Sequence, residues 1–184
     1  MKIRKSFIIA GTIALGATLF GAAPANAAET AAPKPAPQAC LTDLGDGSQA
    51  PVTSCYPVGT NLDAKIEAKT GAAPIHASSA KQARTLQAAS PQATIVLAIF
   101  YNNENYSTSG GYQQVTGTQP CSTTLYAGYP QYNDAISSFH SYSGCKSKLY
   151  ENRDSSGSTY GYVVNSANVG AAMNDRASRY SISG

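Results

Sequence analysis

Two short polar segments carry the side chains best suited to chemistry. Residues 133–138 (NDAISS) and 174–179 (NDRASR) each begin with asparagine and aspartate and have serine at the fifth position. Amide, carboxylate, hydroxyl and carbonyl oxygens are the ligands of a hard cation such as calcium, which takes about six to eight of them. The residue types therefore favour a calcium site. The alternative is that Asn, Asp and Ser here only make side-chain-to-backbone turns.

Each polar segment follows the same succession of elements. Upstream of the first, the β-branched and aromatic run 94–101 ends at Tyr101 and enters a polar turn that reaches Tyr106. Upstream of the second, Tyr150 is followed by a polar turn that reaches Gly157. Strand, polar hairpin, further strands and acidic–serine loop thus occur twice. This repeat predicts two copies of one supersecondary unit that share a core.

Residues 94–184 resemble the βγ-crystallin domain, a sandwich of two Greek-key motifs. Each motif of that family has an aromatic-x4-aromatic-x-Gly hairpin and an N/D-N/D-x-x-S/T-S loop. The first loop here matches throughout, whereas Arg179 closes the second loop in place of serine. The hairpins match less well, since Thr108 replaces a glycine and Ser155 replaces an aromatic residue. The resemblance implies an all-β, βγ-crystallin-like Greek-key sandwich, preceded by a Pro-rich linker and a short, partly helical segment.

The resemblance also implies two calcium ions, each held jointly by both motifs. The implied ligands are Asn133, Asp134, Ala135 and Ser137 from one loop and Asn174, Asp175, Arg176 and Ser178 from the other. Ala135 and Arg176 would contribute backbone carbonyls, so the charge of Arg176 need not abolish binding. A hairpin carbonyl near Asn102 or Glu151 would complete each site. The small number of carboxylates favours weak affinity, on the order of 10⁻⁵ to 10⁻³ M.

The first 27 residues have the organisation of a secretory signal peptide. Lys2, Arg4 and Lys5 precede an apolar stretch, and residues 25–27 (ANA) form a small-residue cleavage signal. The apolar stretch is too short to cross a bilayer comfortably, and no later stretch is long enough. We therefore expect a secreted, extracellular protein with no membrane span after signal removal.

Removal of the signal leaves a chain without net charge. The sequence has 13 Lys and Arg against 10 Asp and Glu, and three of the bases but none of the acids lie in the signal. The remaining 10 bases balance the 10 acids. A neutral chain has no electrostatic attraction for nucleic acid or for an anionic membrane, so neither is an expected partner.

The even number of cysteines predicts disulfides in an exported chain. Cys40, Cys55, Cys121 and Cys145 allow three pairings. We favour Cys40–Cys55 and Cys121–Cys145 because each pair lies within one local segment. A zinc site is disfavoured because the closely spaced cysteine and histidine pairs of such sites do not occur.

The region between the signal and the strand-rich half has no role that the sequence identifies. Residues 28–38 are rich in Ala and Pro and predict an extended linker. The stretch between the first two cysteines reads as a turn-rich loop. We therefore divide the mature chain into a linker and small disulfide-containing segment, 28–93, and a βγ-crystallin-like domain, 94–184.

Capping patterns predict two short helices inside this segment. The first covers residues 63–69 and ends at Gly71. The second begins after Ser78 or Ser79 and ends before Pro91. Neither helix has a wide apolar face.

No recognisable catalytic constellation occurs in the sequence, so we do not expect an enzyme. The two histidines, His76 and His140, lack metalloprotease spacing, and His140 is expected to be a surface or packing residue. No Gly-x-Ser-x-Gly motif occurs. Asp134 and Asp175 recur in matching turns, which argues for a metal rather than for the carboxylate pair of a glycosidase.

Two function classes remain open. The first is a secreted, calcium-binding module with a structural or binding role. The alternative is a secreted peptidase inhibitor or small antimicrobial factor, because exported microbial proteins that resemble this fold include both, and its partner would be an extracellular protein or protease. Residues 120–124 (PCSTT), beside a cysteine, are the candidate inhibitory loop. Most of the tyrosines are expected in the core or at its edges, with a few left for a binding surface.

Overall fold

Residues 36–46, 49–121 and 126–184 are described here from a computed structural model of the chain. The predicted signal peptide and residues 28–35 of the predicted linker lie outside the described residues. Within the described ranges, no helix is long and apolar enough to cross a membrane.

The described residues form ten strands, two α-helices and one 3₁₀ turn at Thr108–Gly110. The elements in chain order are β1 (Gln38–Asp43), β2 (Val52–Pro57), α1 (Leu62–Thr70), α2 (Ala80–Ala89), β3 (Ile95–Tyr101), β4 (Tyr112–Gly117), β5 (Tyr126–Gly128), β6 (Ser138–Ser141), β7 (Lys146–Tyr150), β8 (Thr159–Val163), β9 (Asn165–Ser166) and β10 (Arg179–Ser183).

The strands form two sheets whose order reveals an internal repeat. Sheet A has the order β2-β1-β4-β3-β6-β9, and sheet B has the order β5-β10-β7-β8. Strands β3 to β6 are the first motif and strands β7 to β10 the second. Each motif places its first, second and fourth strands in one sheet and its third strand in the other. This exchange is the arrangement of two interlocked Greek-key motifs, and it confirms the predicted all-β fold class.

Aromatic side chains from both sheets fill the space between them. Phe100 of sheet A stacks on Tyr180 of sheet B with ring centroids 4.5 Å apart, and Phe139 lies 6.0 Å from Phe100. All three residues are at most 1% exposed. Every residue of β3 is buried, because additional side chains also cover the outer face of sheet A. This burial explains the continuous apolar run in its sequence.

The segment between the first two cysteines is a hairpin rather than only a turn-rich loop. Strands β1 and β2 pair antiparallel, and the Cys40–Cys55 disulfide joins them. β1 also pairs in parallel with β4, so the hairpin extends sheet A beyond the first motif. The other disulfide links Cys121 to Cys145. Both links are the favoured pairings, and no free cysteine remains.

Both predicted helices are present, but the first is capped by Asn61 rather than by Thr60, the first residue of the predicted capping box. The side chain of Asn61 accepts the Ala64 N–H at the start of α1, and Gly71 ends that helix in the left-handed conformation. Ser79 caps α2 by accepting the Gln82 N–H. A small apolar cluster joins α1 to β1, while residues from several N-terminal elements enter the main core: Leu44, Ile75, Ala77, Ala83 and Ala93.

Candidate metal centre

The two acidic–serine loops have the same backbone shape. Asp134 and Asp175 adopt left-handed conformations, with φ of 54° and 53°. The Ser137 N–H donates to the carbonyl of Tyr101 at 2.9 Å, and the Ser178 N–H donates to the carbonyl of Tyr150 at 3.0 Å. Each loop is therefore fastened to the end of the first strand of its own motif. The sequence repeat corresponds to a repeat of backbone geometry.

The side chains of the loops cross between the motifs. The Ser178 hydroxyl donates to Asp134 Oδ1 at 2.8 Å, and the Ser137 hydroxyl lies 3.3 Å from Asp175 Oδ1. Each aspartate thus faces the serine of the other loop. The aspartates are exposed and the serines are buried. Two mixed clusters result, each built from both motifs.

Three oxygens from both motifs converge around Ser137. Its Oγ lies 3.0 Å from the Asn102 carbonyl oxygen as well as 3.3 Å from Asp175 Oδ1. A serine hydroxyl has one proton, so it satisfies one of these two acceptors at a time. The Asn103 amide is also placed to donate to the Asn102 carbonyl, at 3.1 Å. A cation in contact with all three oxygens would use the lone pairs that these donors leave open. Within the described part of the chain, Asn174 Oδ1 is a further acceptor, buried and without a hydrogen-bond partner.

The first residues of the two loops differ in their surroundings. Asn133 is exposed and donates from Nδ2 to Asp134 Oδ2 at 2.6 Å, whereas Asn174 is partly buried. Ala135 is buried at 7% exposure. Arg176 makes an ion pair with Glu151. This pair directs the guanidinium toward the hairpin, so the charge of Arg176 is partly compensated.

Glu151 fixes the second hairpin through two donors. Its Oε2 accepts the Ser158 N–H at 2.8 Å, and its Oε1 accepts from Arg176. The bond from Ser158 and the charge of Arg176 hold the pKa of the Glu151 carboxyl below its usual range. Both oxygens of the carboxylate therefore make hairpin contacts, so the contribution predicted near Glu151 is that of a backbone carbonyl rather than of the carboxylate.

The final position distinguishes the loops most clearly. Ser138 is fully buried, donates to the Asn103 carbonyl at 2.6 Å and accepts the Tyr106 N–H at 3.0 Å. Arg179 instead donates from Nη1 to the Arg153 carbonyl at 3.2 Å. Each of these side chains donates a hydrogen bond to a backbone carbonyl in the hairpin of its own motif. The sequence analysis did not predict that the last residue of each loop bonds to a hairpin. The signal that could have indicated it is that each loop follows a hairpin in the sequence.

The donor set of both clusters fits calcium chemically. It consists of carboxylate, hydroxyl, amide and carbonyl oxygens, without sulfur or imidazole. Among the described residues, no group of three or more His, Cys, Asp and Glu side chains could hold a metal. The two clusters contain one aspartate each, so most ligands would be neutral oxygens. Such sites are expected to be weak.

Other predicted features lie apart from these clusters. His140 is a packing residue, with its ring 3.9 Å from that of Tyr106, and burial lowers its pKa. In the candidate inhibitory loop, Pro120 and Cys121 are buried. The remaining three residues of that loop lie outside the described residues.

Comparison with known proteins gives structural neighbours but no sequence family. No protein-family model matches the chain, and no curated protein is matched. A βγ-crystallin domain from Clostridium beijerinckii is 24% identical and has a TM-score of 0.37, with 47% of this chain and 97% of that chain covered. One from Flavobacterium johnsoniae is 18% identical, with 47% and 92% covered and a TM-score of 0.36. A clostrillin double mutant in complex with nickel is 22% identical, with 48% and 98% covered and a TM-score of 0.38. The chain is thus similar to βγ-crystallin domains of solved structure over about half its length.

Proposed function

We propose that this protein is a secreted, non-enzymatic, calcium-binding module of the βγ-crystallin type with a structural or binding role. The observation that carries the proposal is the convergence of three oxygens, since the Asn102 carbonyl and Asp175 Oδ1 lie 3.0 and 3.3 Å from Ser137 Oγ. Such a group is better satisfied by a cation than by hydrogen bonds alone. The equivalent contact between Ser178 and Asp134 supports a second site.

Each ion would be held by residues of both motifs. One ion would take Asp175 Oδ1, Ser137 Oγ and the Asn102 carbonyl, and the other would take Asp134 Oδ1 and Ser178 Oγ. Asn133 and Asn174 and the carbonyls of Ala135 and Arg176 are the remaining proposed ligands. Calcium supplies only charge and coordination here, and the chain's own residues supply the connection between the motifs. Binding would therefore stabilise the pairing of the motifs.

Calcium is favoured over magnesium by the proposed donors. Their mixture of hydroxyl, amide and carbonyl oxygens suits the long, flexible coordination of calcium, whereas magnesium requires near-octahedral geometry at short distances. Two disulfides and the predicted signal peptide support an extracellular location. Weak sites would still be filled there, because extracellular modules bind calcium at about 10⁻⁴ to 10⁻³ M.

Thermal unfolding in calcium and in chelator tests the proposal. An ion that binds only the folded state at a hundredfold excess over its dissociation constant adds about 2.7 kcal/mol per site. The melting temperature should rise by several degrees in calcium and much less in magnesium. Identical melting in calcium and chelator, with no heat of calcium binding in calorimetry, would leave these loops as plain turns.

Substitutions within the loops sharpen that test. We expect Asp134→Ala and Ser137→Ala to lose more of the calcium-dependent shift than Asp175→Ala and Ser178→Ala, because the first loop is complete. Asp154→Ala is the matched control, since it removes an exposed aspartate of the second hairpin that lies outside both clusters. An equal loss in the control would contradict the assignment of the sites.

A further inference from the structure

A cleft lies on the outer face of sheet A, between that face and the residues around the start of α1. Its volume is about 320 Å³. Polar and aromatic side chains share the lining: Asn61, Asp63, His76, Tyr101, Tyr112 and Gln114. None of them belongs to the proposed metal ligands.

The polar side of the cleft is held in one arrangement. Asp63 Oδ2 lies 2.9 Å from His76 Nε2, and Asp63 Oδ1 accepts from Gln114 Nε2 at 2.8 Å. Gln114 is 3% exposed, so its amide is held in place by the residues that bury it. The Asp63 side chain is 43% exposed. Partners therefore orient both carboxylate oxygens, and the group still reaches solvent.

The aromatic side is formed by tyrosines that pack on one another. The rings of Tyr101 and Tyr112 are stacked with centroids 6.1 Å apart, and Tyr106 meets Tyr101 edge-on at 5.9 Å. Tyr112 donates its hydroxyl to the Thr60 carbonyl at 3.2 Å, which fixes the ring at the rim of the cleft. Behind the lining residues, Tyr142 meets the ring of His76 edge-on at 5.1 Å. These contacts make a rigid, preformed wall.

We propose that this cleft binds a neutral saccharide. Aromatic faces pack well against the apolar C–H face of a sugar ring, and planar polar groups such as those of Asp63, His76 and Gln114 can bond to its neighbouring hydroxyls. The volume is suited to a small ligand at the lower limit of ordinary binding pockets, about 300 Å³. This function is additional to calcium binding.

The hydrogen-bonding groups of the cleft argue against the main alternative, an organic cation. Tyrosine rings beside a carboxylate also attract quaternary ammonium groups. Here, however, the lining also contains the His76 ring and the Gln114 amide, which a quaternary ammonium ion cannot hydrogen-bond because it has no N–H. Burial raises the pKa of the Tyr112 hydroxyl, so it remains a neutral hydrogen-bonding group. A neutral ligand with many hydroxyls matches these groups better than a cation does.

Titration of the full mature protein with defined probes tests this proposal. The probes are neutral trisaccharides of glucose, galactose, mannose and N-acetylglucosamine, with tetramethylammonium chloride as the cation. The chain has twelve tyrosines and no tryptophan, so tyrosine emission signals binding anywhere on the protein, and the variants below assign the signal to the cleft. We expect saturable binding of at least one trisaccharide at millimolar concentration, equally in calcium and in chelator. That independence separates this proposal from the proposed calcium function.

Two pairs of variants locate the binding. Asp63→Asn should weaken trisaccharide binding about tenfold, because a hydrogen bond to a charged group is lost, whereas Glu67→Gln on the same helix should leave it unchanged. Tyr112→Leu keeps an apolar side chain but removes the ring, and it should have a similar effect. Its matched control is Tyr129→Leu, at a tyrosine outside the cleft that is 54% exposed.

Folding of each variant is checked by its melting temperature before titration. The proposal would be overturned if no trisaccharide gave saturable binding or if tetramethylammonium bound instead. Equal losses of binding in a variant and in its control would also overturn it.

Discussion

The two loop-and-hairpin units have the same backbone shape but are held by different chemistry. In the first, the buried Ser138 bridges two backbone groups of its hairpin. In the second, Arg179 reaches a carbonyl of its hairpin, and the Glu151–Arg176 ion pair adds a charged contact. The first unit thus depends on short, buried hydrogen bonds and the second on exposed charges. Since exposed ion pairs contribute little, the first unit should be the more rigid.

The largest expected effect comes from removal of the N-terminal segment. Strand β1 pairs with β4, which belongs to the first motif, and five N-terminal residues enter the main core, of which Leu44 and Ile75 have large side chains. A chain of residues 94–184 is still predicted to fold as an almost purely β domain. Its free energy of unfolding should fall by on the order of 5 kcal/mol, since buried apolar side chains contribute about 1.5–3 kcal/mol each.

Circular dichroism and hydrogen exchange measure this effect. Amides of β4 should exchange faster in the shortened chain, while those of β7 and β10 change less. A shortened chain that stays unfolded with its disulfide intact would contradict the predicted domain boundary. An equal increase of amide exchange in both motifs would show that the N-terminal segment does not support the first motif in particular.

The next largest effect is expected at the last residue of each loop, Ser138 in the first and Arg179 in the second. Ser138→Ala should cost about 1–3 kcal/mol in unfolding free energy, because the Asn103 carbonyl and the Tyr106 N–H lose a buried partner. Arg179→Ala should cost less than about 1 kcal/mol. Chemical denaturation of both variants, with Ser156→Ala as an exposed serine control, checks the order. A larger cost for Arg179→Ala would reverse the comparison.

A double-mutant cycle tests whether the clusters cross between motifs. Asp134 and Ser178 are in contact, so the effects of Asp134→Ala and Ser178→Ala on the calcium-dependent stabilisation should couple by about 0.5–3 kcal/mol. Asp134 with Ser137, in the same loop, should show weaker coupling. Stronger coupling within a loop than across loops would contradict the cross-motif assignment.

The smallest effect is a pH dependence specific to the second unit. The pKa of Glu151 is lowered from its ordinary 4.5 because Ser158 and Arg176 favour the carboxylate. The contribution of Glu151 to the free energy of unfolding is therefore present above pH 4.5. It is lost as the pH falls through the lower pKa of the folded state. The difference in melting temperature between the protein and Glu151→Gln should shrink in acid. A difference that stays constant as the pH falls would contradict this contribution of Glu151.

Local patterns were sufficient to predict much of this fold. The capping pattern before α1, Ser79 before α2 and the apolar run of β3 are short-range signals, and each produced the expected element, although Asn61 replaces Thr60 as the first cap. The repeat of acidic–serine loops predicted two motifs. The β1–β2 hairpin was missed because polar residues such as Thr42 and Asp43 interrupt its pattern, and its parallel pairing with β4 joins distant parts of the chain.

The candidate metal centre was predicted as a set of residues but not as an arrangement. Sequence spacing identified both loops, but it did not show that Asp134 would face Ser178 and Asp175 would face Ser137. These contacts depend on the exchange of strands between the sheets. The cleft beside Asp63 was also missed, because it combines residues from α1 and from three separate segments further along the chain.

A crystal structure of the mature protein grown in calcium is the most direct test of the shared sites. The account predicts two ions, one in contact with Asp134 and Ser178 and the other with Asp175, Ser137 and the Asn102 carbonyl. Density for no ion, with both serine hydroxyls still bonded to the opposing aspartates, would contradict it.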